Sequence, residues 1–312
     1  MPWKDRYTIS DERSIADSEV HWPGGGRCCF SMVVDLGPLC GRDGLSPANL
    51  ATADAYFGLH GGLSALRTML RRFEIRATFA IPAVIALADP PKFRSLQDDG
   101  HELAAHGFKR EDVSQLDRAE EQARLERTTV ILKDVAGRRP CGWFSLPRQG
   151  DDFAVGSISP HTMNLLIEAG YDYMGNSPAD DVPHYWVTDY ATSRAILAMP
   201  YYYHFDDQFF LMFPAKGTGL EHPDDLARNW RAELQAQYQR GRHFSMTLHP
   251  YAIGWPNRLH VLEAFLDDVS RYPAVWNPTS AECARYWAQT YPADTHLHLE
   301  PSIWQDHPDS LS

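Results

Sequence analysis

The sequence predicts an α/β fold, a single irregular (β/α) barrel with seven or eight strands. Two observations carry that reading. Apolar, β-branched runs alternate with stretches of helical periodicity, the pattern of parallel strands joined by helices. The 312 residues exceed an average domain but suit one barrel with short extensions. The expected limits are an N-terminal extension over 1–26, the barrel over 27–290 and a tail over 291–312, rich in Pro, Asp and Ser.

The strands follow in order. Arg27–Asp35, Ile75–Pro82, His101–His106 and Cys141–Leu146 are the first four. Tyr171–Gly175, Ile196–Met199, His243–His249 and a short Ala274–Asn277 are the next. Between them, Leu63, Leu66, Met69, Leu70 and Phe73 recur at helical spacing, as do Leu259, Leu262, Phe265 and Leu266. Glu120 to Val135 is a third helix. Ser159-Pro160 opens another, with Ser159 as N-cap and proline in the first turn. The connections over 37–51 and 150–157 are longer than a simple link needs, a length that functional loops often have.

Composition narrows the function. Hydrophobic residues are 44% and charged residues 22%, a globular balance that excludes extensive disorder. With 29 Lys plus Arg against 41 Asp plus Glu, the formal charge is −12. That balance argues against nucleic acid or an anionic membrane as the main partner and still allows a locally basic pocket for a small molecule. The chain has no run of 18 apolar residues, so no membrane helix is expected. Met1-Pro2-Trp3-Lys4-Asp5-Arg6 lacks a secretory apolar stretch. Cys28, Cys29, Cys40, Cys141 and Cys283 show no paired zinc-type spacing and read as reduced thiols. The expectation is a cytoplasmic protein.

Barrels of this class place their active site at the C-terminal ends of the strands. Asp35, His106 and His249 stand at three such ends, and Arg148, Asp151 and Asp152 follow a fourth. A carboxylate and imidazoles converging on one mouth suit acid–base or metal-assisted hydrolysis, since histidine titrates near pH 6.5.

The same residues sit in motifs. These are Ile75-Arg76-Ala77-Thr78-Phe79, the run from Gly100 to Phe108, Gly137 to Trp143, and Ser157-Ile158-Ser159-Pro160. Asp180-Asp181-Val182-Pro183-His184-Tyr185-Trp186, Met199-Pro200-Tyr201 and Leu248-His249-Pro250 complete the series. In this order they resemble the polysaccharide deacetylase (NodB-like) superfamily, in particular its allantoinase-like and cyclic imide hydrolase-like branch, from about Cys28 to Trp287.

The resemblance implies a hydrolase cleaving a C–N bond in a small cyclic amide, imide or ureide. Its alternatives are an N-deacetylase of a sugar or other small amide, and a barrel that binds a ligand without chemistry. Asp35 matches the family's metal-ligand aspartate, His106 its first metal histidine and His249 its general acid. These three are the implied catalytic residues. Val33 stands at the base position, and Arg110 stands four residues after His106, where secreted members carry a second metal histidine. One divalent metal, zinc, would sit on Asp35 and His106; zinc needs at least three protein ligands, and the candidates for the third are His101, if its segment is irregular, and Glu111. A metal-free mechanism, as in the allantoinase-like branch, is the equal alternative. Phe108, Glu111, Trp143, Arg148 and Trp186 are candidates to hold the substrate: aromatic faces for a flat ring, and a planar guanidinium for an imide oxygen. Relatives of this kind form dimers or tetramers, which implies a homo-oligomer.

Overall fold

The computed structural model describes residues 8–9, 15–148, 151, 156–189, 192–212 and 222–297. Asp152 and the tail beyond residue 297 lie outside them. Among the described residues, ten strands form one sheet: β1 (Thr8–Ile9), β2 (Cys28–Asp35), β3 (Thr78–Ile81), β4 (Glu102–Ala105), β5 (Gly142–Phe144), β6 (Tyr173–Ser177), β7 (His184–Asp189), β8 (Arg194–Pro200), β9 (His243–Leu248) and β10 (Val275–Trp276). The order is β1-β7-β8-β6-β5-β4-β3-β2-β10, with β9 paired to the other edge of β2.

All eight strands expected from the sequence are present, their ends moved by up to three residues, with β8 longer than expected and the others shorter or shifted, and they pair in parallel with one another. Two strands are added: β7 pairs antiparallel with β8, and β1 pairs antiparallel with β7. β7 begins inside the Asp180–Trp186 motif and runs three residues past it, forming a hairpin with β8. Between β8 and β9, among the described residues, the contact is one parallel bridge, Asp206 to Thr247. The strands are mostly parallel, as expected, and among the described residues no ladder joins β8 to β9.

Alternation on β2 and β9 sorts the core into two layers, because successive side chains in a strand point to opposite faces. Phe30, Met32 and Val34 face the helices with Phe244, Met246 and Leu248. That outer layer receives Leu63, Leu66 and Leu70 of α1 (Leu63–Arg72), Leu125 and Leu132 of α2 (Arg118–Ala136), and Leu165 and Leu166 of α3 (Thr162–Glu168). The opposite, inner face carries Cys29, Ser31, Val33 and Asp35 on β2. Register sets Cys29 beside His243, Ser31 beside Ser245 and Val33 beside Thr247. The remaining helices used below are α4 (Asp207–Met212), α5 (Pro223–Arg240), α6 (Pro250–Ile253), α7 (Pro256–Ser270) and α8 (Ser280–Thr290).

One cap differs from expectation. The helix after Ser159 begins at Thr162, with His161 at its N-cap. Ser159 instead accepts from the His161 amide at 2.9 Å and donates to the buried Glu121 of α2. The carboxylate is the stronger acceptor, so the hydroxyl ties two helices rather than capping one.

Segments expected to flank the barrel pack against the N-terminal ends of its strands. Trp22 is 4% exposed and sits among Trp276, Tyr286 and Trp287. The Tyr185 hydroxyl donates to the Tyr291 carbonyl at 2.7 Å. Arg242, at the foot of β9, ties these parts together, holding Asp181, Asp180 at 2.7 Å, Asp17 at 3.0 Å and the Ile15 carbonyl at 2.9 Å. Removing one partner of such a network leaves uncompensated charge. Arg242→Met is expected to lower unfolding free energy by about 3 kcal/mol, the low end for a buried pair because Asp180 and Asp181 keep some solvent contact. Urea denaturation measures it; a loss within experimental error would mean that the clamp is not needed.

Candidate active site

Asp35 ends β2 with no exposed surface, and its carboxylate organises the mouth of the sheet. Oδ1 accepts from the Gly37 amide at 2.6 Å. Oδ2 receives Arg110 Nη2 at 2.7 Å, His249 Nε2 at 3.2 Å and His106 Nε2 at 3.3 Å. The three residues implied as catalytic are thus brought onto one oxygen. Gly37 is required by the close approach: a Cβ there would lie 2.7 Å from Arg110 Cδ and 3.0 Å from Asp35 Oδ1.

Arg110 reaches the cluster through a left-handed backbone, φ 60°. Its guanidinium also donates to the carbonyls of Gly37 and Pro38 at 3.1 Å each and of Pro147 at 2.9 Å. Its Nε is buried without a hydrogen-bond partner among the described residues. The fixed cation therefore stands where the resemblance put a divalent ion. With Asp35 already paired to a guanidinium, and arginine at the position of the second metal histidine, the expected zinc site on Asp35 and His106 does not fit the residues present. Glu111 does not complete it, since its carboxylate accepts from the Lys109 amide at 2.7 Å and Arg124 Nη1 at 3.3 Å. Nor does Val33 supply a base; it lies one rung below Asp35 in the inner apolar layer.

Behind His249 stands a pair of acids that sequence reasoning missed. Nδ1 of His249 is 2.8 Å from Asp207 Oδ1 and 3.5 Å from Asp206 Oδ1, and its backbone amide donates to Asp207 at 3.0 Å. Asp206 is held in turn by the Tyr201 hydroxyl at 2.8 Å and the Gln208 amide at 2.9 Å. Asp206, Asp207 and His249 also form, by donor type, a group able to hold a cation, with ligand atoms within 4.8 Å of one another. The signal was present: two adjacent acids a few residues after the Met199-Pro200-Tyr201 motif.

These surroundings drive the two imidazoles apart. Burial would lower the His249 pKa, but Asp206, Asp207 and Asp35 outweigh it and push it up to about 10. Burial also lowers His106, and there the attraction of Asp35 does not compensate, with Arg110 and Arg148 adding to the fall. Asp35 would be raised by burial, yet Arg110, His106 and His249 hold it well below the usual carboxylate range. Asp206 rises to about 6, through burial and through Asp207 beside it.

The residues expected to hold substrate divide. His106, Arg110, Glu111, Trp143 and Arg148 line a narrow cavity of about 20 Å³. Trp143 donates to Ser145 Oγ at 3.2 Å and meets Tyr171 edge-on. Arg148 donates to the Arg110 carbonyl at 3.0 Å, Asp151 Oδ1 at 2.8 Å and Ser157 Oγ at 3.0 Å, so it braces the Arg110 turn. Phe108 is not among the residues of this cavity; its ring lies under the Arg127 guanidinium at 4.2 Å. Trp186 is 6% exposed in the outer core layer on β7, since its strand position faces the helices.

Residues 54–174 match the family model described as polysaccharide deacetylase. A peptidoglycan deacetylase of Helicobacter pylori is 22% identical over 266 residues, 77% of this chain and 87% of its own length. A peptidoglycan deacetylase-like protein of Gibberella zeae is 23% identical over 251 residues, 70% of this chain and 71% of its own. An allantoinase structure superposes with a TM-score of 0.75 at 22% identity, covering 90% of this chain and 96% of that one. A putative polysaccharide deacetylase structure from Mycobacterium smegmatis does so at 0.73 and 27% identity, covering 91% and 98%. The first of these structures speaks for the fold alone.

The raised His249 pKa has a consequence for stability. Its value is about 6.5 in an unfolded chain and about 10 here. The folded state therefore binds the proton more tightly. The stabilisation is fully present below about pH 6.5 and is lost as pH rises through about 10. The gap in urea midpoint between wild type and His249→Gln is expected to narrow steadily from pH 6.5 to 10. A constant gap would show that the imidazole carries no extra proton.

Proposed function

We propose that this chain, which carries a polysaccharide deacetylase (NodB-like) domain, hydrolyses a C–N bond in a small cyclic amide, imide or ureide, with acid–base chemistry supplied by its own side chains. The observation that carries the reading is the convergence of two imidazoles on one carboxylate oxygen, one ring backed by Asp206 and Asp207 and the other standing near Arg110 and Arg148. Paired groups driven apart in this way divide into a base and an acid.

His106, neutral, donates its Nε2 proton to Asp35 and keeps its other ring nitrogen as a base for the attacking water. Asp35 orients that ring, as a carboxylate orients the histidine of a catalytic triad. The oxyanion that forms at the attacked carbonyl needs donors aimed at it; the buried Arg110 Nε–H, unpartnered in this structure, is one. His249, protonated across neutral pH, delivers its proton to the departing nitrogen and is reloaded from solvent, while Asp206 and Asp207 stabilise the charged ring. A ring substrate keeps its leaving amine tethered after the bond breaks. A second reading, N-deacetylation of an amino sugar, is favoured by the curated relatives named above. Both reactions are hydrolyses of an amide.

Assays on a panel of hydantoin, dihydropyrimidine, succinimide and allantoin, beside N-acetylglucosamine oligomers, distinguish the two. Ring opening that persists with chelator present and falls about 10²–10⁴-fold in His249→Gln and in His106→Gln is expected, the usual worth of a positioned acid or base. Arg110→Ala is expected to remove most of the activity. Acetate release from the oligomers alone would replace the cyclic substrate with the second reading. Activity that requires an added divalent ion and survives Arg110→Ala would overturn the proposed chemistry.

A further inference from the structure

At the opposite end of β2 and β9 from Asp35 and His249 lies a second cluster on the same inner face. Cys29 Sγ and Cys283 Sγ are 3.8 Å apart, and a ring nitrogen of His243 lies with both sulfurs inside a 4.8 Å set. Cys29 and Cys283 have no exposed surface and His243 is 1% exposed. His243 Nε2 is 2.5 Å from Ser31 Oγ, whereas Nδ1 is buried with no hydrogen-bond partner among the described residues. We infer that Cys29, His243 and Cys283 form a buried binding site for one thiophilic metal ion, zinc being the charge-matched occupant.

Four considerations support it. Two thiolates on a tetrahedral zinc, each at about 2.3 Å, stand about 3.8 Å apart, close to the separation present. Sulfur and imidazole donors select zinc or cuprous ion over the hard cations that bind carboxylates. Two thiolates and a neutral imidazole cancel a divalent charge, so the assembly can be buried without a leftover ion, whereas a monovalent ion would leave one negative charge in an apolar layer. Ser31 on the second ring nitrogen is the outer partner that metal-bound histidines usually carry, fixing tautomer and ring orientation. Burial favours neutral forms in the cluster: it lowers His243 to about 4, leaving the ring free to donate a lone pair, and pushes the Cys29 thiol well above its ordinary range. A bound cation would reverse the second effect by taking the thiolate.

The bland reading is a thiol–thiol contact in a packed core. It leaves the His243 Nδ1 without a partner, which is the observation the metal explains. The site is separate from the chemistry of the strand mouth, since residues 29 and 35, six apart on one strand, are about 20 Å from each other. Its ion would be structural: it ties β2, β9 and α8 together.

The test is metal analysis with cobalt substitution on the full chain. Protein purified without added metal is expected to hold one zinc per chain. Refolding with cobalt is expected to give a thiolate-to-cobalt charge-transfer band near the ultraviolet edge. X-ray absorption should report two sulfur scatterers and at least one imidazole. The ion should persist in Asp35→Asn and be lost in Cys29→Ala with Cys283→Ala. Should that pair fail to fold, scattering from the wild-type protein still decides the ligands. One copper per chain with the same scatterers keeps the site and replaces the ion. Metal-free protein without a sulfur-derived cobalt band, or an ion bound through oxygen and nitrogen only, would overturn the inference.

Discussion

A carboxylate with no solvent contact is costly unless it is paired and fully hydrogen-bonded, and Asp35 meets that demand in a way that determines most of its surroundings. Its four close partners come from four places in the chain: the turn after β2, the loop after β4, and the ends of β4 and β9. Gly37 lacks a side chain so that the Arg110 stem can pass, and Arg110 adopts a left-handed backbone to bring its guanidinium in. Arg148 then holds the carbonyl of that strained residue. Each of these features follows from putting one negative charge at the end of one buried strand.

The charge arrangement extends one layer further. His249 lies between Asp35 on one side and Asp206 with Asp207 on the other, so it is drawn into the charged state that burial would otherwise forbid. His106 touches the same oxygen of Asp35 but has Arg110 and Arg148 nearby instead of further acids. Two identical side chains equally buried acquire opposite proton affinities from the sign of what stands behind them. In that sense the acids of the 206–207 pair matter as much as the imidazole they support.

The strands were legible because apolar runs report burial on two faces, and Asp35, His106 and His249 were legible because each ends such a run inside a motif. Their mutual contact followed from the architecture. What the sequence did not disclose depends on long-range geometry. Arg110 looked like a missing ligand, and only the folded chain shows its guanidinium taking the position of a cation. Asp206 and Asp207 follow a strand by several residues, with no periodic signal to aim them at His249. Trp186 and Phe108 carry ring chemistry that could serve either packing or recognition, and strand parity decides it for the first while the neighbouring Arg127 engages the second. Cys29, His243 and Cys283 are separated by more than 200 residues at the widest, so no spacing rule could gather them.

The place of β2 in the sheet also has a consequence for how the chain is made. One edge of β2 pairs with β3, which follows within about fifty residues, while the other waits for β9, and the Asp35–His249 contact spans 214 positions. At synthesis rates of 5–20 residues per second, that interval is on the order of 10–40 s. For that time the nascent chain carries an apolar strand with one unpaired edge, the kind of edge that recruits foreign strands. β2 is thus made early and gains its second long neighbour late. The rate of synthesis, rather than the stability of the finished sheet, sets the period in which it is most exposed to misassembly.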